Sequence, residues 1–363
     1  MGLPQYRVSI GLPVFNGEEY LEAAIRSILV QTYADFELII CDNASSDRTQ
    51  EICSAYAARD RRIRYFRNRQ NLGASRNHNR VFELSSGEYF KWASHDDIIG
   101  PDFLSKCVEV LDRDPSVVLC CTKTKIIDKH GSAVKSYVVS LKTDSPRPHV
   151  RFGDLMCTRH MFFPIFGLIR SSALKAGPLM GDYAASDTIL LARLVLMGRF
   201  HEIPEYLFFS RSHEGQSMRT LPSHLSSTIR SVSRTLGVGP TLHAEWFDPA
   251  GKGRRRFPGW RIYLVNFMVG PLPPAEWFDP GQKGRILFPL WKIFLELSVS
   301  IRQARLSRLE RARCYAHLGR WLGRNCPRMV RDVIFAVLRF PGWVLRALST
   351  SGRVQHEPGG GAA

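Results

Sequence analysis

A chain of 363 residues, 44% hydrophobic and 11% aromatic, can bury a sizeable core and has the length of about one and a half to two domains, which excludes a disordered polymer. Its net charge of +17 suits an anionic partner, and it is unevenly carried: from Leu225 onward 22 Lys and Arg face 8 Asp and Glu, a local +14 that leaves +3 for the first 224 residues. Eight cysteines with no CxxC pair and no zinc-ligand spacing read as buried, reduced thiols of a cytoplasmic protein.

No export leader is expected from the first residues, and a strand is expected almost at once in VSIGLPVF. A helix from Glu18 to about Gln31 follows, then the strand FELIICD and a helix from Asp47 to about Ala58. The strand IRYFR, a helix near Ser75 to Leu84, the strand EYFKWAS and a helix from Asp102 to about Leu111 continue the alternation. Such alternation predicts crossover units and a mostly parallel sheet covered on both faces, with ligands at the carboxyl ends of the strands. The polar clusters PVFNGEE, DNASSD and SHDD fall at those ends. Strands VVLCCTK and FGLIR, a helix from Asp187 to Met197 and a final FFSRSHEGQS extend the same domain, with no Gly/Ser-rich linker between.

Beyond a polar connection, AEWFDPAGKGRRRFPGWRIY at 244–263 recurs as AEWFDPGQKGRILFPLWKIF at 275–294, an offset of 31 residues. Two copies make a local duplication, not a solenoid. An Arg-rich helical pattern and a Gly-rich tail complete the chain. No stretch reaches the roughly 18 uncharged apolar residues of a spanning helix. Two readings of the extension stand: a basic, aromatic-bearing face for an anionic membrane surface, or helices packed on the first domain with solvated arginines.

Asp42 ends an apolar strand, so its carboxylate is expected in the cleft, able to accept from a uracil or guanine imino N–H or from ribose hydroxyls. The Asn43–Asp47 run caps the next helix through Ser46 or Asp47. Gly73 is placed in a tight turn, and Arg76 at a helix start, where a phosphate oxygen is favoured. Asp96 and Asp97 are adjacent carboxylates that repel unless a cation joins them, and a divalent metal on a nucleotide diphosphate is the economical partner. Asp187 suits either a helix cap or a general base, and Arg211 and His213 either diphosphate contacts or loop polarity.

Taken in order, PVFNGEEYLEAAIRSILVQTYADFELIICDNASSD, NLGASRN, GEYFKWASHDD and SDTILLARL resemble family 2 glycosyltransferases of the GT-A fold, over about Val8 to Ser217. The resemblance implies an α/β fold, a GT-A (Rossmann-like) mixed and mostly parallel sheet flanked by helices, and a catalytic domain at 1–220; it leaves the repeat region unexplained. The residue pattern beyond it is read as a basic, mainly helical extension at 221–350 and a disordered tail at 351–363. The implied activity is transfer of a sugar from a UDP-, GDP- or dTDP-sugar donor to a hydroxyl of a glycan or lipid-linked acceptor, with inversion, in cell-envelope polysaccharide or glycolipid synthesis. Pro13 and Asn16 would shape the donor pocket, Asp42 with Asn43 beside it would hold the base, and Gly73 and Arg76 would approach base or diphosphate, joined by Arg211 and His213. The metal-binding DxD element of the family falls on Ser94, His95 and Asp96, with Asp97 following; Ser94 replaces the usual first Asp, which leaves Asp96 the better ligand for Mg or Mn. Asp187 becomes the base of a single displacement. With neither the spanning helices nor the QxxRW element of processive members, one sugar per encounter is expected.

Three rival readings compete with this one. A dinucleotide oxidoreductase needs GxGxxG after the first strand, where GLPVFNG stands. A sugar nucleotidyltransferase needs a basic Gly-rich signature near the N-terminus. A scaffold built on a decayed transferase, with a basic tail for lipid or nucleic acid, is kept alive by Ser94 and opposed by the retention of Asp42, Asp96, Asp97 and Asp187. No nucleic-acid partner is expected, and the expected location is the cytoplasm with peripheral contact at the inner face of the cell membrane.

Overall fold

The computed structural model describes residues 6–183, 185–213 and 289–339. Among these residues nine strands form one sheet: β1 (Val8–Val14), β2 (Phe36–Asp42), β3 (Ile63–Arg67), β4 (Tyr89–Trp92), β5 (Ile98–Ile99), β6 (Val117–Ile127), β7 (Ala133–Tyr137), β8 (Leu168–Arg170) and β9 (Arg199–Arg211). Their order is β3-β2-β1-β4-β8-β6-β9-β5, with β7 hairpinned onto β6. β1 pairs in parallel with β2 and β4, β2 with β3, and β6 with β9. Only the short β5, β7 and β8 run against their neighbours. The carboxyl ends of β1, β2, β3, β4, β6 and β9 therefore share one edge.

Helices α1 (Leu21–Leu29), α2 (Thr49–Arg59), α3 (Ala74–Glu83), α4 (Phe103–Arg113), α5 (Pro148–Cys157), α6 (Ser171–Lys175) and α7 (Ser186–Met197) cover the two faces. Period-two alternation sorts the strand side chains between two cores. Val8, Ile10, Leu12, Val14, Leu38 and Ile40 join α1 and α4 on one side, while Ile39, Cys41, Phe90 and Trp92 join α3 and α7 on the other. Gly11 allows α3 onto β1: a Cβ there would meet Val81 Cγ2 at 2.6 Å and the Phe90 ring at 2.7 Å. Pro13 sits inside β1 without cost. The Gly11 carbonyl accepts from Ala93 N–H on the β4 side, and two residues on, Pro13 faces the same side beyond the end of β4 pairing.

Two elements depart from the bounds their residues suggest. The first helix begins at Leu21, not Glu18, because Gly17 N–H bonds Thr49 Oγ1, Glu18 N–H bonds Asp47 Oδ2 and the Glu18 carboxylate accepts from Arg48 N–H. The last strand starts at Arg199, nine residues before the FFSRS run begins at Phe208, and Pro204 lies where the β6–β9 register shifts. β5, β7, α5 and α6 were not foreseen.

The extension contributes α8 (Pro289–Gln303) and α9 (Arg308–Arg339). Leu290, Ile293, Leu297, Ile301, Cys314, Leu318, Trp321 and Met329 are buried in the same core as α5 and α7. Glu310 accepts from His149 N–H at 3.1 Å and pairs its Nδ1 at 2.8 Å, fixing the start of α9 to the start of α5. The apolar stripe of these helices thus faces the first domain, as the packed reading expects, while Arg308, Arg313, Arg320 and Arg324 stay exposed. Among the described residues no helix is long and apolar enough to cross a membrane. The first duplicated copy, most of the second and the 351–363 tail lie outside the described residues.

Candidate active site

Three loops meet at the carboxyl edge, and each turns through a non-glycine residue of positive φ: Asn16 (50°) after β1, Ala44 (63°) after β2 and Ala185 (60°) before α7. Asn16 Oδ1 accepts from Ser46 N–H at 2.9 Å and Asn16 N–H donates to Ser45 Oγ at 2.9 Å, so the first two loops are stitched together. Phe15 beside it is 45% exposed, an aromatic face at the cleft that the sequence reading did not single out.

Asp42 ends β2 as expected, but its carboxylate is fully buried instead of standing open in the cleft. Oδ1 accepts from Ser45 N–H at 2.8 Å, and Oδ2 accepts from Tyr65 Oη at 2.9 Å and Arg67 Nε at 3.1 Å. Asn43 is likewise committed to the chain. Its Nδ2 donates to Asn71 Oδ1 and Gly73 O, and its Oδ1 accepts from Asn68 Nδ2 and Leu72 N–H. Tyr65, Arg67 and Asn71 escaped the sequence reading, although Arg67 stands opposite Asp42 in the β2–β3 register. Gly73, at φ 87°, opens α3. Arg76 Nε bonds Asp182 Oδ2 at 2.8 Å in the loop before α7, and Asn79 exchanges two bonds with Met180.

Ser94 Oγ donates to Asp96 Oδ1, and His213 Nε2 lies 3.0 Å from Asp96 Oδ2. Burial pulls the Asp96 carboxyl upward, but the bonds from His213 and Ser94 and the nearby His95 outweigh it and hold it below the usual range. Asp97 behaves oppositely. Burial, then repulsion from Asp96, raises it well above the usual range, and its Oδ1 accepts from Arg211 N–H at 2.9 Å. The expected pair of metal ligands is thereby split, with Asp97 serving the fold. Arg211 is also drawn inward: Nε donates to Asp96 O, and one terminal nitrogen to Asp128 O and Lys129 O.

Gly198 alone separates α7 from β9, so α7 runs back along the sheet and its first turn returns to the carboxyl edge. Asp187 stands there, half-buried, with Oδ1 accepting from Thr188 N–H at 2.7 Å. Burial raises its pKa, which strengthens it as a base.

Among the described residues no three His, Cys, Asp or Glu side chains converge to hold a metal. Asp96 and His213 set one carboxylate oxygen and one imidazole nitrogen side by side, a donor set suited to such a cation, which would take the place of the 3.0 Å hydrogen bond between them. Mg and Mn complete such a set with phosphate oxygens and water.

Open α/β sheets of this kind take their ligands at the carboxyl ends of the parallel strands, the edge where Asp42, Asp96 and Asp97 stand. Residues 9–176 match the family model Glycosyl transferase family 2. An uncharacterized glycosyltransferase of Rickettsia felis is 34% identical over 39% of this chain and 23% of its own length, and one of Haemophilus influenzae is 26% identical over 62% and 72%. Chondroitin synthase of Escherichia coli is 30% identical over 36% of this chain and 19% of its own. The chain spans less than half the length of the first curated relatives it matches. The structure of S. aureus TarS 1-349 in complex with UDP superposes with a TM-score of 0.54 at 14% identity, covering 88% of this chain and 71% of that one. The fold is GT-A.

Proposed function

We propose that the chain transfers a sugar from a nucleoside diphosphate donor to an acceptor hydroxyl in one inverting displacement. The observation that carries the reading is the Asp96–His213 pair, held at 3.0 Å where β4 and β9 end, with Asp187 on the same edge. Asp187 takes the proton of the acceptor hydroxyl, the freed oxygen bonds the anomeric carbon, and the bond from that carbon to the diphosphate breaks. The nucleoside diphosphate leaves with the bonding pair. Asp96 and His213 would hold Mg or Mn, which when bound neutralises the charge gathering on the leaving diphosphate. Arg76 is proposed to add a guanidinium there, exchanging Asp182 for phosphate. The exposed Phe15 ring offers the base a stacking face, and Asn16 with Asp42 fixes the loops around it.

We take a glycan or lipid-linked acceptor of the cell envelope as the substrate class, with the exposed arginines of α9 toward an anionic membrane surface. The UDP held by TarS makes UDP-sugars the donors to try first. The test is nucleotide release from UDP-, GDP- and dTDP-sugars with Mg or Mn and membrane extract as acceptor. Asp96→Ala should lose donor binding, and Asp187→Asn should keep binding but lose turnover. Failure of the wild type to bind any nucleotide with either metal would instead leave the scaffold reading.

A further inference from the structure

Tyr20 lies on the turn between β1 and α1, 8% exposed, and the proposed chemistry gives it nothing to do. Its ring centroid is 4.7 Å from that of His213, with 52° between the planes, and the Arg211 guanidinium stands 4.8 Å from the same Tyr20 ring. Tilted aromatic pairs and cation–ring contacts of these dimensions are attractive. The last sheet bond before His213 is Ser212 N–H to Ile127 O at 2.8 Å. Among the described residues, the imidazole is therefore aimed by side chains, Asp96 on one side and Tyr20 on the other.

Tyr20 is itself firmly held. Its N–H bonds Gly17 O, and Gly17 and Glu18 are tied to Thr49, Asp47 and Arg48 of the neighbouring loop. Arg211, the second partner of the ring, reaches Asp96 O, Asp128 O and Lys129 O, so the ring joins the β1–α1 turn to the end of β9 across the 94–97 loop. We infer that Tyr20 is a positioning residue, which holds the His213 imidazole on Asp96 so that the diphosphate end of the site is assembled before donor arrives. This deepens the transferase reading and rests on it for its consequence, but not for its geometry.

Two measurements on the full chain separate these. Carbethoxylation of His213 at fixed pH, followed by mass spectrometry of its peptide without nucleotide, reads the imidazole directly: Tyr20→Leu should accelerate it severalfold and Tyr20→Phe should not. Affinity for Mn·UDP should fall about three- to tenfold in Tyr20→Leu, return in Tyr20→Phe, and be no lower in Tyr20→Leu/His213→Ala than in His213→Ala alone. Tyr20→Met stands in should the leucine variant not fold. Unchanged labelling in both apolar variants, a loss that adds in full to that of His213→Ala, or a phenylalanine variant as weak as leucine overturns the inference. If the wild type binds no Mn·UDP, that donor reading fails while the labelling still decides the role of Tyr20.

Discussion

Asn43→Ala separates a residue that touches donor from one that builds the loop around it. The side chain, 3% exposed, makes four bonds: Nδ2 to Asn71 Oδ1 at 2.7 Å and Gly73 O at 3.3 Å, and Oδ1 from Asn68 Nδ2 at 3.0 Å and Leu72 N–H at 2.8 Å. Three of the four partners have second bonds: Asn71 Oδ1 accepts from Gly73 N–H, Gly73 O from Asn77 N–H, and Asn68 Nδ2 also donates to Asn77 Oδ1. Truncation therefore strands chiefly the Leu72 N–H, at about 1–3 kcal/mol, and removes further bonds of modest net worth. A loss of about 2–4 kcal/mol is expected, measured by urea unfolding followed through tryptophan fluorescence. Nucleotide affinity should fall only as far as the loop before α3 loosens. A stability loss under about 1 kcal/mol, together with a large drop in nucleotide affinity, would refute the reasoning and return Asn43 to the donor pocket.

Gly153→Ala should destabilise the docking of α9 on α5 by about 1–3 kcal/mol, because its Cβ would lie 2.1 Å from the His317 ring; a thermal midpoint at or above that of the wild type would sink this. Asp187 must be ionised to accept a proton and burial raises its pKa, so kcat/KM should climb with pH through a value above the ordinary carboxylate range of about 3.9. Asp187→Asn should lower kcat by about 10²–10⁴ and abolish that limb, and a pH profile indifferent to the change would exclude Asp187 as the base. Lys91 is fully buried, its Nζ bonded to Trp92 O and Phe166 O, and burial lowers its pKa to about 8. The folded state sheds this proton before the unfolded chain does, near 10.4, so stability relative to Lys91→Met should be lowest below pH 8 and rise by roughly 3 kcal/mol at most between the two values. Urea midpoints of the two proteins across that range decide it, and a parallel pair of curves counts against the assignment.

The parallel half of the sheet was legible because it obeys local rules. VSIGLPV and FELIICD are apolar runs bounded by polar loops, and IRYFR appears with the bounds its residues suggest. β9 was not, since Pro204 and the charges around it break the apolar pattern, and what holds it is the long ladder with β6. The site residues were found as types, but their tasks were set by distant partners. Asp42 is closed by Tyr65 and Arg67 and Asp97 by the Arg211 main chain, and Arg76 faces Asp182 across 106 positions. No pattern along a single chain prints such pairings. The extension was read as amphipathic, and the choice between lipid and protein for its apolar stripe depended on whether the α5–α7 face lay open, which only packing decides.

The three positive-φ residues without glycine give the site its rigidity. A side-chain-bearing residue in the left-handed region costs on the order of 1–3 kcal/mol and persists only where its surroundings over-determine it. At Asn16 the surroundings are Ser45 and Ser46; at Ala44 they are the Ser45 N–H bond to Asp42 and the Asn43 N–H bond to Val14 O. At Ala185 the first bond of α7, from Ile189 N–H, closes on its carbonyl. Each conformation turns the chain sharply at the carboxyl edge, so the loops that carry Asn16, Asp42 and Asp187 are fixed by bonds already made within the protein. A nucleotide bound as proposed would enter a preformed frame, with the Arg76–Asp182 pair, side chain to side chain, as a contact that can exchange.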